Sequence, residues 1–222
     1  MIAAKEFTAE VIKRAYNRRS WLYSKTIAQM EWNYHVTALN QADIKPGEKI
    51  LEVAVGPGLT IVELAKRTGR ETTIYGVDTS SAMLSLAEQN LRDNGFSNFK
   101  LKEADCRQLP FEDNTFDFLY NGYMLDLIPT QDMPNILNEF YRVLKPGGQM
   151  ILLNMSKHDL STKSSRETLY GFLPAKIALY LLGGCRPVLM EGMVQDARFE
   201  KITRTYLDGK FPSEIVKAHK PH

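Results

Sequence analysis

The sequence predicts an α/β fold of the Rossmann-like kind: a mostly parallel seven-stranded sheet with one antiparallel edge strand and helices on both faces. Three observations predict it. From about Lys49 onward, short β-branched runs alternate with longer helical patterns. The first of those runs, KILEVAV, leads through a glycine turn into a helix. The chain then ends in two strand-like runs, FEKITRTYL and SEIVKAHK, separated by Asp208, Gly209 and Pro212. Strand, helix and strand in short order give a parallel sheet covered on both faces, and the terminal pair reads as a hairpin-like antiparallel edge.

Taken in order, Lys49 to Val55 is apolar apart from Lys49 and Glu52, and reads as a buried strand. Thr60 to Arg67 is helical, TIYGVD (Thr73 to Asp78) is the second strand, and Ser80 to Asp93 is a helix. Ser80 opens that helix because its hydroxyl can accept from first-turn N–H groups. Asn98 to Asp105, Thr115 to Gly122 and Gln149 to Met155 continue the strand series, with a helix from about Gln131 to Leu144 before the last. Ser164 to Leu182 and Pro187 to Ala197 are helical in pattern. Residues 1–44 form a helical appendage to a core of 45–222, and 160–184 is an apolar helical insertion within that core.

At 222 residues, with 44% hydrophobic and 24% charged residues, the chain has the make-up of a globular domain with a sizeable core. A net charge of +2 is too small to attract nucleic acid through its phosphates, so a small-molecule partner is expected. Cys106 and Cys185 lack zinc-type spacing, and the start MIAAKEFTAEVIKR has no apolar segment of the signal-peptide kind. A reducing, cytoplasmic setting is the expectation. No stretch reaches the roughly 20 apolar residues that span a bilayer.

LEVAVGPG, Leu51 to Gly58, carries the most chemical information. Glycines at the carboxyl end of a parallel strand let the backbone approach a ligand with no Cβ in the way. Asp78 closes the second strand about 20 residues after Gly58, where an acid accepts both hydroxyls of a ribose. A nucleoside ligand is therefore expected. A dinucleotide fingerprint would need a third glycine where Ile61 stands, which disfavours a pyrophosphate and with it a nicotinamide oxidoreductase. Glu52, inside the strand, suits instead a ligand carrying an amino group and a positive charge.

These stretches resemble the class I S-adenosylmethionine-dependent methyltransferases. LEVAVGPG is similar to their first motif, GVDTSSAMLSLAEQN to the second, EADCRQLPFEDNTFDFLYNGYMLDLIP to the third and fourth regions, and EFYRVLKPGGQMILLN to the PGG segment before the fifth strand. The style is that of the ubiquinone and menaquinone biosynthesis methyltransferases and of the phospholipid N-methyltransferases. Ala54 stands where many members have glycine, and the quinone group tolerates alanine there. The resemblance implies S-adenosylmethionine as cofactor and S-adenosylhomocysteine as product. Glu52, Ala54, Gly56 and Gly58 would line the methionine part, Asp78 would hold the ribose, and Thr79 and Met83 would lie against ribose and adenine. Asp105 and the backbone of Cys106 would serve the adenine edge, and Asn121 and Gly122 would border the methionine moiety.

A methyl on a sulfonium is already activated, so the enzyme has mainly to position two reactants, with a base needed only for a protonated acceptor. Tyr16, Tyr123 and His158 are the candidates near such a pocket, with Tyr23 and Asp126 also in reach; His35, in an aromatic helical run, reads as structural. Asn121, Gly122 and Tyr123 stand where a catechol-type metal site would want acids, so no metal is expected. The run LYGFLPAKIALYLLGG, Leu169 to Gly184, is apolar on nearly every face. It fits burial in the core or in a homodimer, a cover over an apolar pocket, or contact with a membrane surface. Lys13, Arg14, Arg18, Arg19 and Lys25, interleaved with Tyr16, Trp21 and Tyr23, fit either a solvated face or a peripheral helix at anionic lipid. Together they lean toward an apolar acceptor, quinone-like or lipid, under a lid made by residues 1–44 and 160–184. A small-metabolite methyltransferase and a silent cofactor-binding regulator stay open beside it.

Overall fold

The computed structural model describes residues 27–158, 185–209 and 211–222, together with Glu10, Val11 and Arg14. The segment 160–184 and the aromatic and basic residues 16–25 lie outside the described residues.

The element order is α1 (Ile27–Leu39), β1 (Ile50–Val53), α2 (Leu59–Thr68), β2 (Ile74–Asp78), α3 (Ser81–Asp93), β3 (Phe99–Glu103), β4 (Phe116–Gly122), α4 (Met133–Val143), β5 (Leu144–Met155), α5 (Glu191–Asp196), β6 (Glu200–Leu207) and β7 (Ser213–His219). The seven strands form one sheet in the order β3-β2-β1-β4-β5-β7-β6. Strands β1 to β5 are parallel to their neighbours, and β7 runs antiparallel to both β5 and β6. The antiparallel strand therefore stands one place in from the edge, because the second strand of the terminal hairpin is the one that pairs with β5.

Alternation along the strands sends side chains to two cores. On one face Leu51, Val53, Leu119 and Leu152 meet Ile136, Leu137 and Phe140 of α4. On the other, Ile50, Phe118 and Ile151 meet Ala38 and Leu39 of α1, Ile61 and Leu64 of α2, and Ala87 and Leu91 of α3. The buried residues of α4, Met133, Ile136, Leu137, Phe140 and Val143, recur at three- and four-residue spacing, which makes one apolar stripe. Ser80 caps α3, its hydroxyl accepting from the Met83 N–H at 3.2 Å. The helix expected over Pro187 to Ala197 is confined to Glu191–Asp196, since Val188 is drawn into a bridge with Ser156.

Strand order reverses between β1 and β4: β1, β2 and β3 step outward one way, and β4 and β5 the other. In an open parallel sheet, the crevice beyond the carboxyl ends of two such strands is where ligands bind. Strand β1 ends at Val53 and β4 at Gly122, and the register pairs Val53 with Asn121 across that crevice.

Candidate functional site

A cleft with about 400 Å³ of empty space, including the part open to solvent, lies at this switch point. That is the size of a small-molecule site. Glu52 of β1, the turn residues Ala54, Val55, Gly56 and Pro57, Leu59 and Thr60 of α2, and Gly122 of β4 line one side. Glu31, Trp32 and His35 of α1 line the other.

The turn after β1 is held in an unusual backbone shape. Ala54, Gly56 and Gly58 have φ of 62°, 51° and 89°, the left-handed region that L side chains rarely adopt. A Cβ on Gly56 would meet nothing within 4 Å, whereas one on Gly58 would lie 2.5 Å from Ala87 Cα in α3. Gly56 thus bares backbone to the cleft, and Gly58 lets α3 approach. Two side chains fix the turn from α3 and β2. Asn90 Nδ2 donates to the Pro57 carbonyl at 2.7 Å, and Asp78 Oδ2 accepts from Gly56 N–H at 3.0 Å. The other oxygen of Asp78 accepts from Ser80 N–H at 2.8 Å. Burial raises the Asp78 pKa, and the N–H groups of Ser80 and Gly56 oppose that shift.

Glu52 is 2% exposed, and its Oε2 has no hydrogen-bond partner. Burial, and secondarily the charge of Asp78, hold its carboxyl well above the ordinary range. A carboxylate stranded in this way is expensive unless a cation or a donor meets it. Asn121 resembles it: its Nδ2 donates to the Val53 carbonyl at 2.8 Å while its buried Oδ1 is unpartnered.

The other residues singled out by sequence divide by position. Thr79 is half-buried at the end of β2, and Met83 is buried in the first turn of α3. Asp105 follows β3, but its carboxylate is engaged: Arg107 Nη2 reaches its Oδ2 at 2.6 Å, while Arg107 Nη1 bridges to Asp132 Oδ2 at 3.0 Å. The Arg107 hydrogen bonds hold the Asp105 carboxyl below its usual range. The Cys106 thiol is buried and pushed up to about 12 by desolvation, which keeps it protonated and inert. Tyr123, with φ of 51°, is not on the cleft wall; its hydroxyl bonds Ser213 Oγ at 2.9 Å. His158 is exposed, with its ring against Tyr206 at 5.4 Å. Tyr16 lies outside the described residues.

The wall formed by α1 escaped the sequence reading. His35 is half-buried, and desolvation lowers its pKa to about 4; it is a cleft residue as well as a packing one. Its Nδ1 lies 2.8 Å from the Tyr120 hydroxyl and 3.3 Å from Thr60 Oγ1. Glu31, one turn earlier, is 6% exposed on the same wall. An acid and a histidine four residues apart in an aromatic helix are the signal that was present.

The chain matches a family model described as a methyltransferase domain over residues 50–148. The demethylmenaquinone methyltransferase of Bacillus subtilis (strain 168) is 33% identical over 150 residues, 68% of this chain and 64% of that protein. That of Geobacillus stearothermophilus is 31% identical over 167 residues, 73% of this chain and 67% of that protein. The chain thus spans about two thirds of the length of these relatives. Among solved structures, the [4+2]-cyclase SpnF superposes with a TM-score of 0.77 at 16% identity, over 97% of both chains. A phosphoethanolamine N-methyltransferase 2 of Haemonchus contortus, solved with phosphomonomethylethanolamine and S-adenosylhomocysteine, superposes at 0.73 and 17% identity, over 95% of this chain and 60% of that one. At such identities these structures establish the shared fold.

Proposed function

Because the chain belongs to the class I S-adenosylmethionine-dependent methyltransferases, we propose that it methylates a small apolar acceptor of the quinol type. The observation that carries the reading is the partnerless, buried Oε2 of Glu52 in a cleft at the β1–β4 crevice. An oxygen with no partner in the chain calls for a donor from a ligand, and the ammonium of a methionine moiety is one.

The surrounding residues fit the rest of that cofactor. Glu52, Ala54, Gly56 and Gly58, with Asn121 and Gly122 opposite, would hold the methionine part. Asp78, whose oxygens accept from the Gly56 and Ser80 N–H groups, keeps lone pairs for a ribose diol. Thr79 and Met83 would flank the ribose and adenine. Asp105 and the Cys106 backbone would meet the adenine edge, with Arg107 keeping the Asp105 carboxylate ionised as an acceptor. When bound, S-adenosylmethionine supplies a methyl group on a sulfonium, already activated for an in-line displacement. The chain's own task is then to orient the acceptor and exclude water.

For the acceptor, the support is the likeness to demethylmenaquinone methyltransferases together with the aromatic wall of α1. The N-terminal basic residues, such as Arg18, Arg19 and Lys25, would let the protein meet a membrane surface from the cytoplasm. Among the described residues no helix is long and apolar enough to cross a membrane. The test is to incubate the protein with methyl-labelled S-adenosylmethionine and, in separate reactions, a short-chain naphthoquinol, phospholipid vesicles or a cell extract. Label in the naphthoquinol fraction is expected. Label in phospholipid, or only in aqueous products of a cell extract, would overturn the quinol reading.

A further inference from the structure

We propose that His35 is fixed by Tyr120 as the Nε2–H tautomer and uses that N–H to bind an oxygen of the methyl acceptor, so that the site selects an acceptor bearing a hydroxyl or its anion. The inference rests on the methyl-acceptor reading above and specifies the acceptor's chemistry.

Tyr120 decides the tautomer. It sits in the middle of β4 with no exposed surface, and among the described residues the partner of its hydroxyl is His35 Nδ1 at 2.8 Å. A buried hydroxyl whose proton has no acceptor is costly, and burial holds this phenol well above its ordinary pKa, so it keeps the proton. The proton must therefore point at Nδ1. Thr60 Oγ1, 3.3 Å from the same nitrogen, is a second hydroxyl suited to donate there. A ring nitrogen that accepts from hydroxyls cannot carry a hydrogen. Desolvation keeps the ring neutral at ordinary pH, so its one hydrogen is on Nε2.

Packing fixes where that donor stands. A Cβ on Gly122 would lie 2.6 Å from His35 Cε1, so the imidazole rests on bare backbone at the end of β4. The Tyr123 ring meets it edge-on at 5.4 Å. Nε2 has no partner among the described residues and is not one of the buried partnerless atoms, so it is accessible from the cleft that His35 lines. The result is a rigid, uncharged donor beside Gly122 in the cleft that Glu52 also lines. Such a donor complements a phenolic or enolic oxygen and strengthens as that oxygen gains negative charge. It offers nothing to an ammonium, so an amine acceptor would be recognised elsewhere. A neutral imidazole held this way is also a weak base, and its role is to position the acceptor.

The test uses the full chain labelled with ¹⁵N-histidine, saturated with S-adenosylhomocysteine, and 1-naphthol as the acceptor probe. Long-range ¹H–¹⁵N spectra, with His35 assigned by its absence in His35→Gln, should show a pyridine-like Nδ1 and a pyrrole-like Nε2 that do not titrate between about pH 5.5 and 8. Adding naphthol should move the Nε2 proton downfield. His35→Leu should keep S-adenosylhomocysteine affinity and bind naphthol about tenfold more weakly, and His35→Gln, which retains an N–H donor, should recover most of that loss. An Nδ1–H tautomer, or equal naphthol binding by wild type and His35→Leu, overturns the inference and leaves the quinol reading standing. A wild type that binds S-adenosylhomocysteine but no naphthol overturns both.

Discussion

Asp78 Oδ2 accepts from the Gly56 N–H at 3.0 Å, so the carboxylate that ends β2 also fixes the turn that leaves β1. The residue assigned to the ribose and the turn assigned to the methionine chain are one mechanical unit. Asp78→Ala is expected to weaken S-adenosylhomocysteine binding by about 1.5–3 kcal/mol through lost charge-assisted hydrogen bonds. It should also lower folding stability by about 1 kcal/mol, because Gly56 and Ser80 lose their acceptor. Calorimetric titration and urea unfolding separate the two effects. Unchanged affinity would remove Asp78 from the ribose site.

Glu52 gives a prediction with opposite signs in the free and bound protein. Its carboxyl is held above the ordinary range by burial, so the free protein is stabilised while Glu52 is protonated and loses that stability as pH rises through the raised pKa. Glu52→Gln should therefore make the free protein more stable at neutral pH and flatten this part of its pH dependence. The same variant should bind S-adenosylhomocysteine about 1.5–3 kcal/mol more weakly, having lost the charge that meets the ammonium. Titrations in buffers of different ionisation enthalpy should show proton release on binding by the wild type and none by Glu52→Gln.

The sheet and the strand-to-turn junction were legible because each rests on local pattern. KILEVAV, TIYGVD and the Ser80 cap declare themselves within a few residues, and a glycine turn followed by an acid at the next strand end marks a nucleoside site. The α1 wall was not legible. Glu31, Trp32 and His35 reach the crevice only because Ala38 and Leu39 pack with Ile50 and Phe118, a tertiary contact between segments that no short window joins. The Asp105–Arg107 pair was hidden for another reason: two residues apart, they meet only because the turn after β3 folds back on itself. Hairpin order is likewise invisible locally, since either terminal strand has the pattern to pair with β5 and only packing chooses β7.

The three left-handed residues of the first turn should respond differently to substitution. Gly56→Ala adds a methyl with open space around it, so its backbone strain of about 1–2 kcal/mol should be accompanied mainly by lost ligand affinity. Gly58→Ala drives a Cβ to 2.5 Å from the α3 backbone, and overpacking added to strain should cost about 2–4 kcal/mol of stability. Ala54→Gly relieves a φ of 62° but loosens the unfolded chain, leaving the protein unchanged to about 1 kcal/mol more stable. Unfolding curves for the three variants, each with and without S-adenosylhomocysteine, check the ordering. Equal losses at Gly56 and Gly58 would mean that the turn moves as a block.

Asp126, just beyond β4, supplies a pH dependence that is independent of ligand. It is fully buried; Oδ2 accepts from the Met155 N–H at 3.0 Å and Oδ1 has no hydrogen-bond partner. Burial pushes its pKa up to about 7, against the opposing effects of the Met155 N–H and the Arg186 charge. Since the folded pKa lies above the unfolded one, the stability it contributes is complete below about pH 4 and is lost as pH rises to about 7. That interval corresponds to about 4 kcal/mol at most. Asp126→Asn keeps an acceptor for Met155 and has no charge to bury, so above pH 7 it should be the more stable protein, with the advantage shrinking as pH falls toward 5. Urea unfolding of wild type and Asp126→Asn across that range gives the difference directly, and the subtraction removes the opposing titrations of Glu52 and His35. Parallel curves would mean that Arg186 already neutralises Asp126 and holds it ionised throughout.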